Sequence, residues 1–407
     1  MTFSIPAGCL AVIDRLASSG FPAHLVGGCV RDLCRGVPPH DYDLTTSATP
    51  AEMKNVFRDF RVIETGIAHG TLTVLSDGVP YEVTTYRVDG DYSDGRHPDA
   101  VTFTRSLEED LARRDFTVNA MAYSPASGLV DPFGGQADLA ARLLRAVGEP
   151  ERRFSEDALR ILRALRFSST LGFSIEEKTA AAICRLAPTV SRVSPERIRE
   201  ELLKLLSGAS SDAVLHAYRD ALFAAVPVLS PIGEIWDAAA TAASSLSYDP
   251  VLALAALARP LGENGTAALF RSLKTDRKSE RRASSAVAAY GAGLPQDLSS
   301  AGSFAVRYGE TAARDAVALA EAFHDPAAPA AGEALNGFFS SGRPFALSDL
   351  ALRGDDLTAV GIPEGPALKE TLAALLDLAA RGETPNEKEA LLGCAARLQT
   401  GKTGQNT

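Results

Sequence analysis

Residues 21–46, FPAHLVGGCVRDLCRGVPPHDYDLTT, constrain the fold more tightly than any other stretch. The apolar run Ala23 to Val26 predicts a short buried strand. Gly27-Gly28 breaks it, and Cys29-Val30-Arg31-Asp32 opens a helical pattern. After the turn at Pro38-Pro39, Asp41-Tyr42-Asp43-Leu44 predicts a second strand. Residues two apart in a strand share a face, so the carboxylates of Asp41 and Asp43 project together from Cα atoms about 7 Å apart. Two such charges repel unless a cation sits between them, and Mg²⁺ takes one or two carboxylates together with substrate phosphate oxygens. Without side chains at Gly27 and Gly28, backbone N–H groups can come close to a triphosphate. A glycine pair alone marks a turn, and Asp-x-Asp alone marks a solvated strand. The signal is the order: strand, Gly-Gly-x-x-Arg-Asp, then Asp-x-Asp within about fifteen residues.

Further along, residues 8–19 predict an amphipathic helix with Leu10, Ile13 and Leu16 on one face. Thr49, Pro50 and Glu52 form an N-cap, first-turn proline and capping-box partner for a helix over 49–57. The β-rich runs 70–75 and 79–86, split by Ser76-Asp77-Gly78, predict a hairpin that extends a mixed sheet. Glu82 lies within it. As a third carboxylate it would take a metal or the proton of an attacking hydroxyl; otherwise it is a solvent-facing strand residue. Residues 88–106 are polar and predict a mobile loop. A helical run follows over 107–121 and contains Arg113-Arg114-Asp115. Adjacent arginines suit a triphosphate as well as a solvated face, and Asn119 suits a ribose hydroxyl.

Strand signals stop near residue 140. Ser155 predicts the N-cap of a helix over 155–167, which sets Asp157 and Arg160 three apart on one face. Asp accepts from an exocyclic amine and Arg donates to the neighbouring ring nitrogen. Cytosine and adenine share that edge; guanine and uracil present a carbonyl beside an N–H and are rejected. Arg163 and Arg166 continue at three-residue steps, but such a row drifts about 60° per step, so the three arginines cannot converge on one base. A second capped helix, 194–206, pairs Arg197 with Glu201, and Glu200 and Glu201 are placed to orient the preceding arginines. The basic run 271–282 reads as a solvated helix face or as a patch for an RNA backbone.

The net charge of −10 opposes non-specific nucleic-acid binding but leaves room for local basic patches. The five cysteines are scattered, with no C-x-x-C pair, and fit neither a zinc site nor a disulfide framework. With no apolar run of transmembrane length and no basic leader, a cytoplasmic protein with no membrane partner is expected.

Taken in order, GGCVRD, DYD, HGTLTV/YEVTTYR, DGRHPD, LEEDLARRDFTVNAMA, SEDALRILRALRF, SPERIREELLKLL and GIPEGPALKETLAALL resemble the class II tRNA nucleotidyltransferases, the CCA-adding branch of the polymerase-beta-like superfamily, along nearly the whole chain. The resemblance implies an α+β fold. A small mixed-sheet nucleotidyltransferase palm (1–140) would precede an all-α neck that recognises the base (141–206), a body (207–335) and a tail that binds tRNA (336–400). It implies C, C and A addition to tRNA 3′ ends from CTP and ATP, with Mg²⁺ as cofactor and no DNA partner. Asp41 and Asp43 would bind the metal. Gly27, Gly28 and Arg31 would meet the triphosphate and Arg114 the nucleotide. Asp157 and Arg160 would read the base, Arg163 and Arg166 would complete that pocket, and Glu82 and Asp115 are the candidate proton acceptors. The DGR stretch 94–96 would serve the switch from C to A. A poly(A) polymerase shares these first blocks but carries a basic run soon after the aspartate pair that is missing here; an enzyme adding only A is the other alternative.

Overall fold

The computed structural model describes residues 3–64, 66–67, 70–90 and 101–403, with the side chains of 89, 101 and 400–403 left aside. The DGR stretch lies outside these residues. The chain divides into two compact units, Met1–Ala225 and Val226–Thr407.

In the first unit, helix α1 (Ala7–Ser18) precedes strand β1 (Ala23–Val26), helix α2 (Gly28–Cys34) and strand β2 (Leu44–Thr46). Helix α3 (Pro50–Val56) starts at Thr49, whose hydroxyl accepts from Glu52 N–H while the Glu52 carboxylate accepts from Thr49 N–H, the predicted capping box. Strands β3 (Arg61–Ile63), β4 (Thr71–Ser76) and β5 (Val79–Thr85) follow. Asp77 and Gly78 both adopt positive φ, 52° and 77°, as a tight two-residue hairpin turn demands. Strands β6 (Arg87–Asp89) and β7 (Val101–Phe103), helix α4 (Leu107–Ala112), and strands β8 (Ala122–Ser124) and β9 (Gly128–Val130) complete the sheet region. The main sheet runs β3-β4-β5-β2-β1-β8-β9 and is antiparallel except for β2 beside β5, so it is mixed as predicted. Leu25, Leu44, Leu72, Val74 and Val83 pack from it against Val12 and Leu16 of α1 and against Met53 and Phe57.

Four local expectations change. The second strand begins at Leu44, so Asp41 and Asp43 lie on its lead-in, tied to β1 by Val26 N–H donating to Asp43 O at 3.0 Å. The described ends of the expected loop 88–106 pair as the antiparallel strands β6 and β7, which the β-branched Val88 and aromatic Phe103 favour. The helical run from Leu107 stops at Ala112, and only a 3-10 turn at Thr117–Asn119 follows. Phe116, between them, instead makes an antiparallel bridge to Ala146.

The fourth change lies beyond helix α5 (Gly135–Ala140) and strand β10 (Leu143–Leu144). Pro150 starts helix α6 (Pro150–Glu156) five residues ahead of the predicted cap, and Ser155 donates its hydroxyl back to Glu151 O at 2.7 Å instead of capping. Asp157 is extended (φ −144°, ψ 107°), and helix α7 (Leu159–Leu171) follows. Asp157 therefore precedes the helix that carries Arg160, and the two do not share a helix face. Strand β11 (Ser174–Ile175) pairs parallel with β10, a small exception to the all-α expectation after residue 140. Helices α8 (Glu177–Leu186), α9 (Pro195–Leu206), α10 (Ser211–Ala217) and α11 (Arg219–Ala225) close the unit. Ser194 and Pro195 take the predicted N-cap and first-turn places of α9.

The second unit is helical among its described residues, with its longest element over Leu298–Ala322, interrupted at Gly309 (φ 75°). In the basic run, Arg282 turns inward to Asp249 and Asp315 at 2.6 and 2.7 Å, while Arg277, Lys278 and Arg281 stay exposed.

Candidate active site

The sheet alternates, and its second face carries the site. On β5, Tyr81, Val83 and Thr85 are buried and Glu82 is exposed. Because Leu44 pairs in parallel register with Val83, the residue before each, Asp43 and Glu82, stand side by side. Asp41 and Asp43 also keep residue surface open to solvent, although protein packs closely around the Asp43 carboxylate. Asp43 is pushed up to about 6 from an ordinary 3.8, by burial of its carboxylate first and then by the charges of Asp41 and Glu82, with Arg114 opposing. The charges of Asp41 and Glu82 thus both act on Asp43, the aspartates paired as the sequence suggested and Glu82, whose role it left open, beside them. This donor set suits a hard divalent cation, which would offset both the burial and the neighbouring charges that hold Asp43 up. Among the described residues no group of three His, Cys, Asp or Glu is drawn close enough to hold a metal ion alone.

The turn beside them is built by Gly27, with φ 79° and ψ −134°, a conformation that suits glycine. A Cβ there would come within 3.0 Å of Arg114 Nη1, so the missing side chain lets the guanidinium lie on the turn. Arg114 Nε is buried with no hydrogen-bond partner, and burial lowers the pKa of the group. A buried donor without an acceptor is costly, and an anion at this turn would satisfy it.

Asp110 escaped the sequence reading. It is fully buried, accepts from Arg113 Nε and Nη2 at 2.9 and 2.8 Å, and pairs with Arg114 Nη2 at 3.5 Å. Thr45 Oγ1 and Arg87 N–H also donate to it. Burial opposes its charge, but Arg113 and Arg114 win and its pKa is lowered. Its place one turn before an arginine pair was the available signal; its burial against β2 was not visible.

Arg31 is buried. It donates Nε and Nη2 to the Asp32 carboxylate, both at 2.9 Å, and Nη1 to Asn119 Oδ1 at 2.8 Å. Asn119 in turn donates its amide Nδ2–H to Asp115 Oδ1 at 3.2 Å. The amide expected to face a ribose therefore braces Arg31 against Asp115. Asp115, a candidate proton acceptor, is engaged as well: its other oxygen accepts from Arg163 Nε at 2.7 Å, and Phe116 N–H adds a third bond. Burial alone would raise its pKa, yet Arg163 and Asn119 hold it at about 2. A carboxylate so occupied is a brace and a poor proton acceptor.

The α7 arginines diverge, as their three-residue spacing requires. Arg160 donates to Glu156 at 2.6 Å, Arg163 to Asp115, and Arg166 pairs with Glu201 at 3.0 Å. Phe167 packs between them, with the Arg31, Arg163 and Arg166 guanidinium carbons 5.3, 5.4 and 3.9 Å from its ring centre. Glu201 thus orients α7, as expected, but Arg197 is not its partner: Arg197 donates to Asp157 at 2.8 Å. The extended backbone at 157 turns that carboxylate toward α9 and lets it also accept from Leu159 N–H at 3.0 Å. The structure thus brings Asp41, Asp43, Glu82, Gly27 and Arg114 together. It links Arg31, Asn119, Asp115 and Arg163 in one network, and it gives Asp157 and Arg160 separate partners.

Comparison with known proteins joins these parts. Residues 23–145 match the Poly A polymerase head domain, 172–230 the probable RNA and SrmB-binding site of polymerase A, and 251–395 the putative tRNA nucleotidyltransferase domain 2. The CCA-adding enzyme of Limosilactobacillus fermentum is 37% identical over 95% of this chain and 96% of its own, and that of Geobacillus kaustophilus is 38% identical over 93% and 94%. The crystal structure of the Bacillus stearothermophilus CCA-adding enzyme in complex with CTP superimposes with a TM-score of 0.76 at 32% identity, covering 98% of each chain. A Thermotoga maritima CCA-adding enzyme complexed with tRNA shares the fold, with a TM-score of 0.70 at 21% identity over 96% of this chain and 94% of its own. With near-full-length relatives at this identity, a mixed sheet carrying paired aspartates and a helical remainder, the chain belongs to the class II CCA-adding tRNA nucleotidyltransferases.

Proposed function

We propose that the chain completes tRNA 3′ ends in the cytoplasm, adding C, C and A from CTP and ATP without a nucleic-acid template. The observation that carries the residue assignment is that the charges of Asp41 and Glu82 both act on Asp43, near the orphaned Nε of Arg114 at the Gly27 turn. Asp41 and Asp43 would hold Mg²⁺, with substrate phosphate oxygens filling the remaining positions. When bound, the metal supplies neutralisation of the triphosphate and acidifies the attacking hydroxyl.

The chain's own groups do the rest. The backbone N–H of Gly28, next to the Gly27 turn whose own N–H is given to Met121 O at 3.3 Å, and the guanidiniums of Arg31 and Arg114 bind and orient the triphosphate. The tRNA 3′ oxygen bonds to the α-phosphorus, and the α–β bridging bond breaks to release pyrophosphate. Glu82 is exposed beside Asp43 and is the better placed proton acceptor; Asp115 is engaged by Arg163. Asp157 would accept from the exocyclic amine of C or A and Arg160 would donate to the ring nitrogen, so substrate binding would draw Asp157 from Arg197. Arg163 and Arg166 hold the pocket through Asp115, Glu201 and Phe167. The residues 94–96 would serve the C-to-A switch.

The test incubates purified protein and Mg²⁺ with tRNA lacking CCA, resolving products at single-nucleotide length. Three additions ending in A, requiring CTP and ATP together and absent with GTP and UTP, are expected. A long A ladder from ATP alone would move the assignment to a poly(A) polymerase. A single A on tRNA already ending in CC would make it an A-adding enzyme.

A further inference from the structure

The C-terminal carbonyls of a helix lack intrahelical partners and must find others. At the end of α4 they are taken by two arginines from a different part of the chain. Arg153, on α6, donates Nη2 to Ala112 O at 2.8 Å and Nη1 to Arg113 O at 3.3 Å. Arg160, on α7, donates Nη2 to the same Arg113 carbonyl at 3.2 Å. The two guanidiniums share one carboxylate, with Glu156 Oε2 accepting from Arg153 Nη1 at 2.8 Å and from Arg160 Nη1 at 2.6 Å. Arg160 Nη1 also donates to the backbone carbonyl of Arg153 at 3.0 Å, and Arg153 Nε donates to Val147 O at 3.2 Å.

An arginine has five N–H donors. These bonds occupy both Nη1 hydrogens of Arg160 and one on Nη2. Its Nε–H and one Nη2–H remain for a nucleobase, and where they point is fixed by the carbonyl it grips. That carbonyl belongs to Arg113, and the next residue is Arg114, whose guanidinium lies on the Gly27 turn. One short piece of backbone therefore connects the base-reading side chain to the phosphate-facing one.

We propose that Arg153 is a positioning residue for base selection. By holding Ala112 O and Arg113 O against α6 it fixes the separation between the free donors of Arg160 and the guanidinium of Arg114. A nucleotide with the wrong base edge then cannot seat its triphosphate. This rests on the reading of Asp157 and Arg160 given above. Arg153 itself touches no substrate and reads nothing.

The experiment measures kcat/KM of Arg153→Gln and Arg153→Lys for CTP, ATP, UTP and GTP on the appropriate tRNA ends, with KM for tRNA and the thermal midpoint alongside. The discrimination of CTP over UTP, and of ATP over GTP, should fall by about tenfold or more in Arg153→Gln. It should fall less in Arg153→Lys, which keeps one charge but loses the fork. KM for tRNA should change less than about threefold. Should Arg153→Gln fail to fold, the lysine variant decides by the same ratio. The proposal is overturned if all four nucleotides lose kcat/KM by one common factor, or if the ratios match wild type. If wild-type protein itself fails to prefer C and A, the reading of Asp157 and Arg160 fails instead, and the two failures are distinct.

Discussion

Asp41, Asp43 and Glu82 stand exposed at one side of the site, with no ion-pair partner among the described residues. On the other side, Arg31, Arg160, Arg163 and Arg166 are each bound to a carboxylate, and their network runs through Asp32, Asp115, Glu156 and Glu201. The carboxylate side carries unfavourable charge that a bound cation would offset. The charges of the arginine side are already paired, although Arg166 Nε and Glu201 Oε2 lack a well-aligned hydrogen bond, so it contributes fixed geometry more than unmet charge. The difference teaches how to perturb each: changes on the first side should abolish chemistry and spare the fold, whereas changes on the second should damage both.

The largest effect belongs to the carboxylates. Asp41→Asn and Asp43→Asn should each lower the rate of nucleotide addition by about 10³-fold or more while tRNA binding persists. The metal-free Asp43 variant should melt no lower than wild type, because the lost charge was unfavourable there. Single-turnover addition and melting curves with and without Mg²⁺ measure both; a large fall in melting temperature would place Asp43 on the structural side after all.

Asp115→Asn attacks the other side. It leaves Arg163, about one-third exposed, with only the 4.0 Å approach of Glu201 in place of its close carboxylate partner, and loosens Asn119 and Arg31 behind it. A loss of about 2–4 kcal/mol is expected, toward the lower end for the screening that Arg163 retains. The sign with pH follows from the depressed pKa near 2: the wild-type contribution is present above the ordinary 3.8 and is lost as pH falls toward 2. Urea unfolding of both proteins at neutral pH and at about pH 3 should show their gap narrowing in acid.

Asp43 has the opposite sign. Its folded pKa is raised to about 6, so its favourable contribution belongs to the protonated form, is fully present below the ordinary 3.8, and is lost as pH rises through 6. Mg²⁺ needs the ionised form. Its affinity should fall by up to about tenfold per unit below that pKa, with protons released on binding. Calorimetry in buffers of different ionisation enthalpy would count them. Glu82→Gln removes one repelling charge and should move the midpoint downward; an unchanged midpoint would mean that Glu82 does not act on Asp43.

What was legible in the sequence was what neighbours in sequence decide. The Thr49 cap, the β4–β5 hairpin and α1 follow from residues a few places apart, and each forms as predicted. The aspartate pair and the α7 arginines were legible as a pattern, because chemistry fixes their spacing. The partners were not. Asp115 to Arg163, Asp157 to Arg197 and Arg153 to the α4 carbonyls join residues 40 or more apart. Nothing in a local window distinguishes an exposed Asp-Arg pair at three-residue spacing from two residues claimed by other helices. The break at Asp157 escaped for the same reason: Ser155 followed by acidic residues is a good local cap, and Pro150 starts the helix sooner.

The smallest expected effect separates two adjacent glycines. At Gly27 a side chain meets two obstacles, a backbone at φ 79° and the Arg114 Nη1 atom 3.0 Å from the new Cβ. Gly27→Ala should therefore cost about 1–3 kcal/mol in the absence of any ligand. At Gly28 the nearest atom is Arg31 Nη2 at 3.6 Å, an ordinary contact, and the residue opens α2. Gly28→Ala should leave stability unchanged or raise it by about 0.4–1 kcal/mol, since alanine loses less chain entropy on folding. Its penalty should appear in KM for CTP and ATP, where the methyl group stands in the way of phosphate approaching the backbone. Melting temperature and nucleotide KM for the pair would then show a crossed pattern. If Gly28→Ala left both untouched, the triphosphate would not approach the backbone there, and its binding would fall to the arginine side alone.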